Sequence, residues 1–272
     1  MPRKAKGFMA MIIILRIVLG LAAVLLPLGD RCLAGDNGVI SRIIETEKTD
    51  FGNFYLDREN LTSLGIGVAG AALFANTGMD RYIRNKYQED LRSTGTDEAT
   101  KIFNISATGV TLVLVPAYIG AYGAGRLLHN PTMVEWAKNT FRATVVGGPA
   151  LLGLAAATGG DRPREGDSNW GAFNNFHGIS GHTYFVAIPF ITAAKMSENP
   201  YQKAILYVLS TFTGISRIND DRHYFSQSAL GWFIGYLSCA VVEMGNDRRE
   251  GRVRVQFAPV PKGMAITLTK TY

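Results

Sequence analysis

Three of the four histidines, His177, His182 and His223, lie near four arginines in the chain: Arg162, Arg164, Arg217 and Arg222. All seven fall where polar loops meet apolar segments. Guanidinium forks match phosphate oxygens in pairs, and imidazoles exchange protons near neutral pH. Cations gathered at one place repel each other unless an anion sits among them. Ser180-Gly181 opens an apolar segment, so the first N–H groups of a helix starting there also favour an anion. The chemistry indicated is an oxyanion pocket of phosphate type, with two histidines available to work on what it holds.

The elements that must position these groups follow from the apolar pattern. Leu64 to Thr77 is a short small-residue run, and residues 79–104 carry dense mixed charge expected of an exposed helix and turn. Ile105 to Gly125 is the best candidate membrane span, with Pro116 expected to kink it. Phe141–Gly159, Ile179–Met196, Lys203–Ile215 and Ser226–Met244 read as four further helices, and residues 36–62 as a polar linker or short amphipathic start. Packed antiparallel, the four bring the loop Asp161–Gly178 and the stretch SRINDDRH to one end of a bundle. The tail RVRVQFAPVPKGMAITLTKTY alternates about a Pro-Lys-Gly turn, as a hairpin does. The expected fold is all-α, a six-helix type bundle with a short β-hairpin tail. Its divisions are 1–34 (signal peptide or anchor), 36–104 (polar N-terminal region), 105–245 (helical core) and 246–272 (tail).

DRP (161–163), GISGH (178–182) and SRINDDRH (216–223) resemble the three motifs of the type 2 phosphatidic acid phosphatase and vanadium haloperoxidase superfamily. The resemblance covers roughly residues 105–245 and rests on the order and spacing of the three together. It implies a helical core and, for phosphatase members, hydrolysis of phosphomonoesters or pyrophosphates without a metal or other cofactor. It further implies that His223 is a nucleophile forming a phosphohistidine, and that His182 protonates the leaving alcohol and then activates water. Arg162 and Arg217 would clamp the phosphoryl oxygens, with Ser180 and the Gly181 amide completing the cradle.

The chain departs from the pattern at three positions. Ala155 stands where the family has a lysine, seven residues before Arg162, and Ile179 replaces a proline. Arg164, Arg222 or a residue of the early helices could supply the missing cation; Arg142 lies ~20 Å away along a helix and is out of reach. Gln227 stands where an aspartate should orient the nucleophile. Its amide oxygen can accept the Nδ1 proton of His223 but brings no charge, so a weaker orienter is expected. Outside the pattern, His177 reads as a loop or supporting histidine, and Asp221 with Arg222 as a local ion pair. Trp170 and Phe173 read as packing, interface anchors or the lining of a lipid entrance.

The net charge of +6 comes without a basic, aromatic-interleaved stripe, which argues against nucleic acid as a partner. Two cysteines provide no disulfide framework or metal site. Mean hydropathy is +0.08, so apolar segments alternate with polar ones. A basic start, an apolar run from Phe8 to Leu28 and Cys32-Leu33-Ala34 form a cleaved signal or an uncleaved anchor. Either places the core in the cell envelope: in the inner membrane with a periplasmic site, or as a soluble periplasmic bundle. The expected partners are the membrane and a substrate that is a phospholipid, an isoprenyl phosphate or a lipid A phosphate. The rival readings are a vanadate-dependent haloperoxidase and a phosphate- or lipid-binding bundle with impaired catalysis.

Overall fold

The computed structural model describes residues 38–101, 107–250, 253–260 and 263–270; the expected signal or anchor at 1–34 lies outside them. Nine α-helices are present among the described residues: α1 Gly38–Tyr55, α2 Arg58–Asn76, α3 Met79–Lys86, α4 Thr94–Lys101, α5 Ala107–Leu127, α6 Pro131–Thr158, α7 Gly181–Met196, α8 Pro200–Asn219 and α9 Phe225–Glu250. A single π-helical turn, Tyr87–Leu91, continues α3. The expected linker at 36–62 is mostly helical. Residues 38–55 dock Phe54 and Tyr55 into the core, and Tyr55 Oη both donates to the Val146 carbonyl and accepts from the Ala150 N–H.

Two helices begin earlier than apolar periodicity suggests, for the same reason. Asn130-Pro131 and Asn199-Pro200 each place an Asn at the N-cap and a Pro in the first turn. Asn130 Oδ1 accepts from Met133 N–H and Asn199 Oδ1 from Tyr201 and Gln202 N–H. At its far end α6 stops at Gly159, in the left-handed region with φ 55°.

α9 is the central helix, packed against α2, α6, α7 and α8. Tyr184, Ile188, Ile191, Ile234 and Val146 form the fully buried centre. α6 crosses closely at Gly147, where a methyl group would lie 2.0 Å from Ser238 Oγ and 2.7 Å from Tyr184 Oη. Toward the other end, Arg142 of α6 grips Asp50 of α1 with Nε and Nη2, at 2.8 and 2.9 Å, and so belongs to the fold rather than to the phosphate pocket.

The tail forms the expected antiparallel hairpin, β1 Val253–Val260 with β2 Gly263–Lys270, in the register Val253↔Lys270 to Val260↔Gly263. Among the described residues, Pro131–Thr158 and Phe225–Arg248 are long and apolar enough to cross a membrane. Both are inner helices. The outer helices expose apolar side chains: Tyr201, Ile205, Val208 and Ile215 along α8, and Leu61, Ile66 and Leu73 along α2. These features fit membrane association.

Candidate active site

The stretch from Arg217 to His223 closes on itself. The Arg217 carbonyl accepts from the N–H groups of Arg222 (2.9 Å) and His223 (3.2 Å), so five intervening residues bring His223 back beside the C-terminus of α8. Asp221 makes this turn possible with φ 57°, a left-handed conformation that Asp tolerates better than most residues. The chain then enters α9 at Phe225.

Gln227 is the third residue of α9 and joins all three segments. Its Oε1 accepts from the Tyr224 N–H at 3.1 Å, the third-residue half of a capping box. Its Nε2 donates to the Asp161 carbonyl at 2.8 Å, and its own carbonyl accepts from the Ser180 N–H at 2.9 Å. Gly231, one turn further, is what lets Ser180 lie against α9: a methyl group there would sit 2.4 Å from the Ser180 carbonyl oxygen.

These bonds decide the tautomer of His223. Asp161 offers only an acceptor and Tyr224 only a donor, so the Gln227 amide has one orientation that satisfies both. Its Oε1 also lies 3.0 Å from His223 Nδ1, which must therefore carry the proton, leaving the Nε2 lone pair for chemistry. The expected contact between Gln227 and His223 is present, but the amide does more than stand in for a carboxylate: its N–H has a partner that a carboxylate would repel.

Cations surround this imidazole. His223 is 5% exposed. Burial first, then the Arg162 charge, push its pKa from 6.5 down to about 3, with Gln227 opposing and His182 and His177 adding to the fall. Burial likewise lowers Arg162, with the Glu165 carboxylate opposing and the Arg222 charge adding to the fall. Arg162 Nε is shielded from solvent and meets no hydrogen-bond partner. Arg217 is buried, faces Asp220 at 3.6 Å, and feels the charges of Arg222 and Arg162. Arg162 is thus electrostatically coupled to both His223 and Arg217, and His182 to His223, so the four lie in one cluster. Ser180 caps α7 by accepting from Thr183 N–H at 3.3 Å, leaving Gly181 and His182 in the first turn, where helical N–H groups have no helical partners.

The other basic residues divide. Arg164 is turned onto the Asp220 carbonyl at 2.8 Å, whereas Arg222 is exposed and electrostatically coupled to both Arg162 and Arg217. Ala155 lies in the apolar core beneath the site. His177 Nδ1 lies 2.9 Å from Glu165 Oε2, while burial and then the Arg162 charge lower the pKa of this histidine. The expected Asp221–Arg222 pair is replaced by another. Arg84 reaches Asp221 from α3 with two bonds, because the left-handed turn aims the carboxylate at α3. Ser226 is held by Asp80, also on α3. Asp80 and Arg84 had no signal in the spacing of the motifs; only their i, i+4 placement on a charged helix hinted at a shared face.

A buried neutral histidine has a definite acid signature. Its folded pKa lies below its unfolded value, so its contribution to stability is complete above about 6.5 and is lost as pH falls toward about 3. The melting temperature of the parent is expected to fall more across that window than that of His223→Asn, measured by thermal melts at several pH values. A parallel fall in both would remove His223 as the cause.

Residues 133–249 match the PAP2 superfamily. No curated protein and no solved structure matches the chain. The matched segment runs from the first turn of α6 to the end of α9 and contains the loop after α6, the capped start of α7 and the Arg217–His223 turn. It is this helical core, residues 133–249, that the chain shares with the PAP2 superfamily, the superfamily of type 2 phosphatidic acid phosphatases.

Proposed function

We propose that this protein is a metal-independent phosphatase acting on lipid-linked phosphomonoesters or pyrophosphates through a phosphohistidine at His223. The observation that supports it most is the neutral imidazole with Nδ1–H held by Gln227, set among the charges of Arg162 and Arg217. Such an imidazole is a nucleophile at neutral pH, because no proton has to leave Nε2 before it attacks. Nε2 bonds to phosphorus as the ester P–O bond breaks, and the departing oxygen takes a proton from His182. Water then attacks the phosphohistidine, His182 takes its proton and the P–N bond breaks. Arg162, Arg217 and the N–H groups at the start of α7 stabilise the charge on the phosphoryl oxygens, where most catalysis of phosphoryl transfer arises. Arg222 takes the electrostatic part of the lysine that Ala155 replaces.

Lipid-linked substrates fit the apolar outer faces of α2 and α8 and the exposed Phe173, held at φ 63° on the loop that carries Arg162. In this reading the core is an envelope protein of the inner membrane, its pocket facing the periplasm. The purified chain in EDTA is expected to release phosphate from phosphatidate, an isoprenyl pyrophosphate or lipid A, and to retain labelled phosphate on His223 when quenched during turnover. No release from any of the three, or release that survives His223→Ala, would overturn the proposal.

A further inference from the structure

Two charged side chains of α3 lie against the turn that carries His223, outside the matched residues 133–249. Asp80 is fully buried and accepts from the Ser226 N–H at 2.9 Å and from Ser226 Oγ at 2.5 Å. Arg84 donates from Nε to Asp221 Oδ1 at 2.8 Å and from Nη2 to Asp221 Oδ2 at 2.6 Å. One helical turn separates the two, so they share a face. Their partners, Asp221 and Ser226, bracket His223 on either side in the chain.

The turn needs such a hold. Asp221 sits at φ 57°, a conformation that a residue with a side chain keeps only when its surroundings over-determine it. The Arg217 carbonyl closes the turn by accepting from the Arg222 N–H at 2.9 Å and the His223 N–H at 3.2 Å, but these local bonds do not fix where the turn sits against the core. A bidentate guanidinium–carboxylate pair fixes direction as well as distance. Arg84 is one-third exposed, so solvent screens the pair and its value lies in geometry more than in stability. The hold extends along the chain. Tyr87 Oη donates to Asn219 Oδ1 at 3.2 Å, and Gln88 Nε2 to the Ile218 carbonyl at 3.1 Å, at the end of α8.

We infer that α3 is a clamp on the His223 turn, with Asp80 and Arg84 as positioning residues that set the imidazole for in-line attack. The inference rests on His223 being the nucleophile. Asp80 anchors the start of α9, and with it Gln227; Arg84 anchors the turn before the histidine. Neither touches the phosphate, so both act on turnover rather than on substrate binding.

The test uses the full chain in detergent with p-nitrophenyl phosphate. Arg84→Ala is expected to lower kcat by about thirty- to a hundredfold with KM within about twofold, as displacement of a reacting group by a fraction of an ångström does. Arg84→Lys, which keeps the charge and one bond, recovers part of the loss, and Asp80→Asn loses less than Asp80→Ala. A second measurement does not need turnover: the proton resonance of His223 Nδ1–H, hydrogen-bonded to Gln227, shifts and exchanges faster in Arg84→Ala. An active parent whose Arg84→Ala and Asp80→Ala variants keep the parental kcat overturns the clamp. A parent inactive on every phosphoester overturns the catalytic reading instead, and the resonance then decides: no change in Arg84→Ala overturns the clamp as well.

Discussion

Replacing Gln227 by aspartate is expected to slow turnover by about a hundredfold, although aspartate is the residue that the family pattern places there. The amide serves three groups at once: the Tyr224 N–H, His223 Nδ1 and the Asp161 carbonyl. Aspartate is one methylene shorter and has no donor. The Asp161 carbonyl would lose its partner beside Arg162, and a second carboxylate oxygen would be buried with nothing to bond. Each such group costs about 1–3 kcal/mol, so melting temperature falls along with kcat.

Gln227→Glu separates length from charge. Glu reaches as far as Gln, but when ionised it puts an oxygen where Nε2 now lies, 2.8 Å from the Asp161 carbonyl. Protonation restores a donor there. The ratio of Gln227→Glu to parental kcat is therefore expected to rise as pH falls, because the protonated side chain has the hydrogen-bonding pattern of the amide. Both variants are checked by kcat against pH on a soluble phosphomonoester. A Gln227→Asp enzyme as fast as the parent would show that the link to Asp161 has no part in the reaction.

Arg162→Met is expected to stabilise the protein and disable it. Arg162 is a cation held down chiefly by burial, its Nε without a partner; Glu165 offsets part of that cost, Arg222 adds to it, and Arg162 in turn depresses His223. Replacing it by an apolar side chain of similar length removes the cost of burying that charge, which outweighs the lost attraction to Glu165, so the melting temperature without phosphate rises. Turnover falls by about a hundred- to a thousandfold, the usual loss when one group facing transition-state charge is removed. Phosphate should stabilise the parent by about 2.7 kcal/mol at a hundred times its Kd. In Arg162→Met this stabilisation should largely vanish. Thermal melts with and without phosphate, beside kcat, check both halves. A variant that is less stable without phosphate, or as active as the parent, would show that Arg162 belongs to the fold instead. The site keeps a poorly solvated cation for the substrate anion, and stability and activity then trade against each other at this position.

Much of this was legible in the sequence because it is local. Apolar periodicity indicates the helices at 141–159 and 203–215 but misses their true starts, because Asn130-Pro131 and Asn199-Pro200 begin them by capping. The interval from Arg217 to His223 is the length of one closed turn, a property of the backbone within seven residues. Histidines and arginines at the ends of successive helices meet because short connections force antiparallel packing. The partner of Asp221 was not legible. Arg222 is its neighbour in sequence, but a left-handed residue turns the carboxylate away, onto a helix 137 positions earlier in the chain. The charged segment at 79–104 looked like an exposed helix and turn for the same reason: Asp80 is polar in the sequence and buried only because Ser226 meets it.

By itself, then, the sequence determined the all-α class, the core helices but not their starts, the order of the three motifs and the hairpin, because periodicity and turn length act over a few residues; it did not give the count, which is nine helices among the described residues and not six. The tertiary structure alone decided what Gln227 does. A side-chain amide has a donor end and an acceptor end. Which end faces His223 depends on a carbonyl 66 residues away at Asp161 and on the N–H of Tyr224. Position 227 looked like a charge removed from a familiar pattern. In the folded chain it is a two-ended hydrogen bond that leaves His223 Nε2 unprotonated, a property that spacing cannot encode because it belongs to three segments at once.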